Sequence, residues 1–440
     1  MRAAAFKGQE SRFSNLPIAG RVPSMSRQLR VHAPFNSWIC AQIGAREHYA
    51  IPRVLHRSGR LEMLFTDFWI NGWRALLART LGARRLAGRF HGDLTEAEVV
   101  GLHATSLRSA IETRSVSNPY IRFLRAGSWF GKAVRSRLRR RTGQNWSRTI
   151  FFGYDTGFLE AAAWVKDQGG KSIVCQMDPA RTEVELVQAE QKRWAGWAKA
   201  ETPVPEDYFA WRKTEWALAD LVLVNSDWSR EALLQQGVPE AKLRVLPLAY
   251  ETTPSPAPGV PSPGNRQLRV LFLGQANLRK GIPYLLEAAK GLSGVQIDIV
   301  GPVGIAPEKV VTAPANVRFH GSVSRDRTAA FYREADVFVL PTLSDGFALT
   351  QLEAMAHGLP VVATPHCGRV VTDGLDGFVI PAGDSAGLRQ ALECLRDDPE
   401  RVEAMGMAAL EKVQSFSMDN LEQGLLALER DLLGKRSSAR

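Results

Sequence analysis

Cysteine is scarce in this chain. Cys40, Cys175, Cys367 and Cys394 stand far apart, with neither disulfide-framework nor zinc-ligand spacing, so reduced thiols in a cytosolic compartment are expected. No run comes near the roughly 18 apolar residues that a membrane-spanning helix needs. The start carries Arg2 and Lys7 with no apolar segment behind them, so no secretory signal is expected. Acidic residues are missing altogether from Thr113 to Tyr154, and no internal repeat is evident.

What is present is a globular balance, 45% apolar and 23% charged over 440 residues, a length that predicts two to three domains. Lys and Arg exceed Asp and Glu by 56 − 45 = +11. That excess favours an anionic partner: phosphate groups, an acidic lipid surface or nucleic acid.

Residues 1–27 are polar and basic and read as a flexible leader, with a first short strand at Leu29–Ala33 and mixed helical patterns over 34–60 and 61–110. From Phe151 strands and helices alternate. Ser172–Gln176, Leu221–Val224 and Leu243–Leu246 read as strands, with helices at Gly157–Lys166, around Glu190 and Trp194, through Trp216, and from Ser226. Thr253–Gly264 holds five prolines in twelve residues, which neither a helix nor a ladder tolerates, so a domain boundary falls there. Alternation then restarts with Leu268–Leu273, Gln296–Val300, Val317–His320, Asp336–Leu340, Leu359–Ala363 and Gly377–Ile380, and an amphipathic helix, Leu421–Leu433, ends the pattern. Such alternation predicts α/β architecture with doubly wound parallel sheets.

The stretch Leu340–Thr364 is the most informative. It leaves a strand, turns through Ser344-Asp345-Gly346, enters a helix ending near His357-Gly358 and returns to a strand. Asp345 and Glu353 therefore sit where a helix opens at a strand's C-terminal end, the edge at which open α/β sheets bind ligands. Asp345 also suits an N-cap. Gly274-Gln-Ala-Asn-Leu-Arg-Lys-Gly281 places two cations on a strand-to-helix loop, where Arg279 and Lys280 could stabilise a developing anionic charge or simply be a solvated pair. His366 and Cys367 have no further ligands at metal-binding spacing.

Together with Phe319-His-Gly-Ser-Val323 and Ala335–Thr342, these pieces make residues 268–385 resemble the donor-binding domain of retaining glycosyltransferase family 4, with a weaker resemblance over about 150–250. The resemblance implies a GT-B fold, two Rossmann-like domains facing across a cleft. Its boundaries would be an acceptor-side domain at 28–250 with a basic, aromatic insert at about 113–150, a linker at 251–266, a donor domain at 267–415, and a 416–440 helix crossing back. It implies Arg279 and Lys280 on the leaving diphosphate, Asp345 facing the transferred sugar and Glu353 on the ribose. Gly274, Gly281, Gly321, Val323, Gly346, Phe347, Ala348 and Leu349 would line the donor, with the amides of 346–348 near the sugar. The family's first acid is usually Glu, one methylene longer than Asp345. A His-Asp pair is replaced by Met177-Asp178, which leaves Asp178 either to orient an acceptor or to start a turn with Pro179. No Gly-Gly loop follows the first strand; Gly44 is a stand-in. Glu190, Trp194 and Trp197 are similar to a subgroup's pattern without implying a catalytic role.

The resemblance implies transfer of a sugar from a nucleotide-diphospho-sugar to an acceptor hydroxyl with retention, in polysaccharide or glycolipid assembly. No metal or other cofactor is implied, and Asp-x-Asp, the metal-binding pattern of the other main glycosyltransferase fold, is missing. The competing readings are a degenerate protein that binds a nucleotide-sugar or partner without turnover, and a nucleic-acid-binding protein. The ten basic residues of 113–154, including Arg122, Arg125, Lys132, Arg135, Arg137 and Arg139–Arg141, are interleaved with aromatics. They suit an anionic membrane or acceptor, a solvated face, or a nucleic-acid backbone. The resemblance favours the first, a protein at the cytoplasmic face of a membrane.

Overall fold

The structure, a computed structural model, describes residues 36–70, 88–198, 203–251 and 267–434. The expected leader, the strand at Leu29–Ala33 and the proline-rich stretch lie outside them.

Two all-parallel sheets organise these residues. The first has seven strands: β1 (Ser37–Gln42), β2 (Leu61–Thr66), β3 (Val99–Gly101), β4 (Thr149–Tyr154), β5 (Lys171–Gln176), β6 (Leu221–Val224) and β7 (Leu243–Val245), in the order β3-β2-β1-β4-β5-β6-β7. The second has six: β8 (Leu268–Leu273), β9 (Val295–Val300), β10 (Val317–Gly321), β11 (Val337–Leu340), β12 (Val361–Ala363) and β13 (Gly377–Val379), in the order β10-β9-β8-β11-β12-β13. Each order reverses once, between β1 and β4 and between β8 and β11. At such a point successive loops leave to opposite faces and open a crevice at the strands' C-terminal ends.

Both faces of the first sheet are covered, which is why its strands are apolar at most positions. Alternate residues of β1 serve opposite cores: Ile39 and Ala41 pack with Phe130, Val134 and Phe158, while Trp38 and Cys40 pack with Leu421, Leu425 and Leu428. Those leucines, at helical spacing, place the last helix, Met418–Leu433, on the first sheet. Its buried Glu429 accepts hydrogen bonds from Trp38 Nε1 (2.7 Å) and Asn36 Nδ2 (3.0 Å) and pairs with Arg60.

Two expectations for the first domain are corrected. Residues 34–110 are not simply helical; they hold β1, β2 and β3. The basic stretch at 113–150 is not an insert. It is the crossover from β3 to β4, carried by the helix Pro119–Leu138, because parallel strands need a long connection over the sheet face. Asn118 caps this helix, accepting from the Tyr120 and Ile121 amides at 2.9 and 3.3 Å, with Pro119 in its first turn. Gly127 lets it lie directly on the loop after β4, where any Cβ would overlap the Thr156 carbonyl oxygen.

Candidate active site

The loop after β8 and the loop after β11 meet at the second sheet's switch point. Gly281 holds a left-handed conformation (φ 72°), and a Cβ there would overlap the Pro341 carbonyl oxygen. The loops are tied by the Leu343 amide donating to the Arg279 carbonyl at 2.8 Å and by Thr342 Oγ1 donating to the same oxygen at 3.2 Å. Gly281 thus serves contact between the two loops and sets where Arg279 and Lys280 point.

They are not a solvated pair. Lys280 is buried and its Nζ pairs directly with Asp345 Oδ2. Arg279 Nη1 donates to the Ser344 carbonyl at 3.0 Å and stands 3.5 Å from Asp345 Oδ1. Burial opposes ionisation of Asp345, but Lys280 and Arg279 outweigh it and hold the carboxyl below the usual carboxylate range. Asp345 is therefore no N-cap. The cap position of the helix Leu349–Ala356 is Ala348, with no side-chain cap, since the Asp345 carboxylate is drawn to the cations instead.

Of the three amides expected near a sugar, that of Gly346 supports the Asp345 carboxylate and that of Ala348 donates to the Cys367 carbonyl at 3.2 Å. Phe347 and Ala348 are buried, and Leu349 is half-buried at the helix start. Glu353, one turn further, accepts from the hydroxyl of buried Tyr332 at 2.7 Å. Gly274 follows β8 and Gly321 ends β10 on the same sheet edge, their backbones linked to Val300 and Gly301 (2.9 Å each), and Val323 packs against the adjoining core.

The first domain supplies the opposing wall. Gly346 lies on the Met177 carbonyl so closely that a Cβ would overlap it, and Asn225 Nδ2 donates to that oxygen at 3.2 Å. Trp228 stacks on His366 at 3.8 Å and donates to Ser344 Oγ at 3.2 Å. Ser344 Oγ in turn donates to Glu183 Oε2 at 3.1 Å, and the same oxygen stands 3.5 Å from Arg279 Nη1. Burial pushes Glu183 up to about 7 against the pull of Arg279. Further along the helix Arg181–Arg193, Glu190 accepts from Tyr284 of the second domain at 2.6 Å, and Trp194 packs edge-on against that ring.

Asp178 starts the turn with Pro179 and also pairs with an arginine. Its Oδ1 accepts the Ala180 amide at 2.8 Å, closing a turn, and its two oxygens receive Arg212 at 2.6 and 3.0 Å. Buried Arg212 also pairs with Asp155 at 2.8 Å. Burial raises and Arg212 lowers the Asp178 carboxyl, which ends below its usual range, so it is a fixed negative charge and a poor proton acceptor.

At the first sheet's switch point, Gly44 donates to Asp67 Oδ1 at 2.9 Å. Glu47, His48 and Tyr49 follow in three successive left-handed conformations, each costing roughly 1–2 kcal/mol in a non-glycine residue. Burial pushes Glu47 up to about 7, opposed by Arg46, whose guanidinium lies 5.2 Å from the Tyr154 ring centre. Among the described residues, Gln42 Oε1, Arg46 Nε and Arg212 Nε are buried without a hydrogen-bond partner. Buried polar atoms of this kind at a sheet's ligand-binding edge suit a hydroxyl-rich ligand. Glu183, Arg212, Asp155 and the 46–49 turn were not singled out from sequence; the only signal was their position just after β1, β4 and β5 or on the helices behind them. Among the described residues no group of three or more His, Cys, Asp or Glu could hold a metal ion.

Residues 267–398 match the family model described as glycosyl transferases group 1. A D-inositol 3-phosphate glycosyltransferase of Acidothermus cellulolyticus is 31% identical over 252 residues, 51% of this chain and 56% of that relative. The chain spans less than two thirds of the length of such curated relatives, 22% and 45% of two others. A sucrose-phosphate synthase from Thermosynechococcus elongatus shares the fold with a TM-score of 0.63 at 18% identity, covering 91% of this chain and 100% of that one. Anabaena HepE in complex with UDP does so with a TM-score of 0.55 at 14% identity, covering 90% and 100%. The fold is GT-B, and residues 267–398 are similar to the glycosyl transferases group 1.

Proposed function

We propose that the protein transfers a glycosyl unit from a nucleotide-diphospho-sugar to an acceptor hydroxyl with retention of configuration, in polysaccharide or glycolipid assembly. The observation that carries this reading is the Arg279–Lys280 pair at the second switch point, facing the first domain across a closed cleft. UDP bound to HepE, on the same fold, supports a nucleotide donor.

In this reading the diphosphate displaces Glu183 from Arg279 and shares Arg279 and Lys280 with Asp345, and both cations stabilise the charge that grows as the glycosidic bond breaks. Glu353 holds the ribose, and the edge of Gly274, Gly321 and Val323 lines the nucleotide. Asp345, held ionised by two cations, contacts the sugar without taking a proton. The acceptor hydroxyl attacks the face that the leaving group vacates, and a departing phosphate oxygen receives its proton. No step calls on a metal.

The test is incubation of the pure protein with a panel of nucleotide-sugars. Slow release of nucleoside diphosphate, with NMR showing the starting anomer in the transferred product, is expected. Binding without turnover toward any candidate acceptor would replace this reading with a non-catalytic one.

A further inference from the structure

The helix Arg181–Arg193 belongs to the first domain, yet one of its faces meets the second. Glu183, Glu190 and Trp194 follow one another at seven and four residues, so they share a helix face. Glu183 stands by Arg279, whereas Glu190 Oε2 accepts from the hydroxyl of Tyr284 at 2.6 Å. The Trp194 ring stands edge-on to Tyr284 at 5.5 Å, and Tyr284 is buried. The contact continues past the helix end. Gly196, in a left-handed conformation (φ 77°), turns the chain so that Trp197 packs against the second domain's core. The Trp197 carbonyl accepts the Ala306 amide at 2.7 Å, and Lys309 Nζ lies 5.3 Å from the ring centre.

These two anchor points bracket the loop that carries Arg279 and Lys280. Tyr284 stands three residues beyond Gly281, in the first turn of the helix Ile282–Ala289. Ala306 closes the loop after β9, and that loop is laced to the start of the cationic one. The Ala276 amide donates to the Pro302 carbonyl at 2.9 Å, and the Gly304 amide donates to the Ala276 carbonyl at 2.8 Å. Between the anchors the Lys280 amide donates to Asn277 Oδ1 at 3.0 Å and the Gly281 amide to the Leu278 carbonyl at 2.8 Å. Residues 276–281 are thus one hydrogen-bonded turn, and a shift at either anchor is passed to both cations.

We propose that Glu190 is a positioning residue and that, with Trp194 and Trp197, it forms a strap by which the first domain sets the turn bearing Arg279 and Lys280. Its effect on turnover rests on the glycosyltransferase reading; its hold on the turn does not. The strap is not what keeps the cleft closed. Trp228 on His366 and Met177 against Gly346 join the domains at the loops after β11 and β12, whereas the strap engages the elements after β8 and β9. A charge that stabilises a leaving group must be placed closely, since a misplacement of about 1 Å can cost roughly a hundredfold in rate. Glu190 touches neither cation, so it acts through Tyr284.

Hydrogen exchange on the full-length protein reads that hold without any ligand. Tyr284→Phe removes the hydroxyl and keeps the ring. Amides of 274–282 should then exchange about tenfold faster, while those of 343–349 and 364–368 keep their wild-type rates. Glu190→Ala should do the same, and Glu190→Gln, which still accepts from the hydroxyl, should restore wild-type exchange. Combining Glu190→Ala with Tyr284→Phe should add nothing to either alone, since both break one bond. In donor hydrolysis Glu190→Ala should lower kcat about tenfold with KM for donor changed less than threefold, and Glu190→Gln should recover kcat. Unchanged exchange over 274–282 in Glu190→Ala would overturn the proposal. So would equal acceleration at 343–349, the mark of a general clasp between domains, or faster exchange with kcat unaltered. If the wild type hydrolyses no nucleotide-sugar yet exchange over 274–282 responds as stated, the strap stands and the transfer reading falls.

Discussion

Glu183→Gln removes an acid that the first domain sends into the Arg279–Lys280 cluster, and it does so with little change of shape. The glutamine oxygen can still accept from Ser344 Oγ, so any change in donor binding reports charge. Burial sets Glu183 at about 7, so it is mostly neutral at pH 6 and mostly ionised at pH 8. On the proposed reading a diphosphate beside Arg279 disfavours the ionised form, so the donor complex should hold Glu183 neutral. Binding then costs the free energy of protonating it, RT ln(1 + 10^(pH − 7)). That is about 1.4 kcal/mol at pH 8 and under about 0.1 kcal/mol at pH 6.

Donor affinity of the wild type should therefore fall about tenfold from pH 6 to pH 8, while Glu183→Gln stays flat and binds about tenfold more tightly than wild type at pH 8. The nucleotide-sugar is the right titrant, since its diphosphate is a diester with no proton to lose in this range. Calorimetry in buffers of different ionisation enthalpy should find uptake of about one proton at pH 8, absent in the variant. Stability gives an independent reading. A carboxyl raised from 4.5 to about 7 contributes stability that is fully present below about pH 4.5 and lost as pH rises through about 7, at most about 3 kcal/mol. The variant's Tm should thus exceed wild type at pH 8 and match it at pH 4.5. A variant whose donor affinity keeps the wild-type pH profile would refute the reasoning.

Lys280→Met should lower turnover roughly 10²–10³-fold and stability by about 1–3 kcal/mol, because the half-buried Asp345 loses its nearest cation and keeps only Arg279; unfolding in urea and donor hydrolysis measure the two. Gly346→Ala puts a methyl group onto the Met177 carbonyl, so the cleft should open, visible as a larger radius of gyration by X-ray scattering, with turnover down about a hundredfold. Asp345→Ala frees both cations, so steady-state kinetics should show a lower KM for donor with kcat down about a hundredfold; intact transfer would end its role beside the sugar while leaving the fold reading untouched. Glu215 accepts from the Thr156 and Phe158 amides and from Trp211 Nε1 at 2.9, 3.3 and 3.2 Å through both carboxylate oxygens. Glu215→Gln turns an NH₂ toward a donor and should cost about 1–3 kcal/mol in denaturant unfolding; a change under about 0.5 kcal/mol would show that the loop rearranges freely.

The second domain was legible because its central strands, β8, β11 and β12, are mostly apolar runs followed by a loop and a helix, the pattern that a sheet covered on both faces imposes. The first three strands were not. Leu61-Glu-Met-Leu-Phe-Thr66 is rich in good helix formers and contains an acid, and only its place between β1 and β3, with Glu62 held by Arg141 at 2.8 Å, makes it a strand. β3 is three residues long, too short for any period to show. In the site, Arg279, Lys280 and Asp345 stood out because adjacent cations and an acid after strands are unusual locally. Glu183 did not, since Arg181–Arg193 carries Glu183, Glu185 and Glu190 on one polar helix. Only the second domain's surface tells Glu183 from Glu185.

That blind spot is chemical as well as topological. Read along the chain, Arg279 and Lys280 are two cations awaiting an anion; in the fold they already face Asp345 and Glu183, one carboxylate from each domain. A donor must therefore exchange counterions rather than fill an unpaired site, and the two carboxylates are unequal partners in the exchange. Asp345 is held below the usual range and cannot take up a proton near neutrality. Glu183, at about 7, can. On the proposed reading, proton uptake at Glu183 would let the cluster accept a diphosphate while Ser344 and Trp228 still tie the two domains together, so charge compensation need not open the cleft.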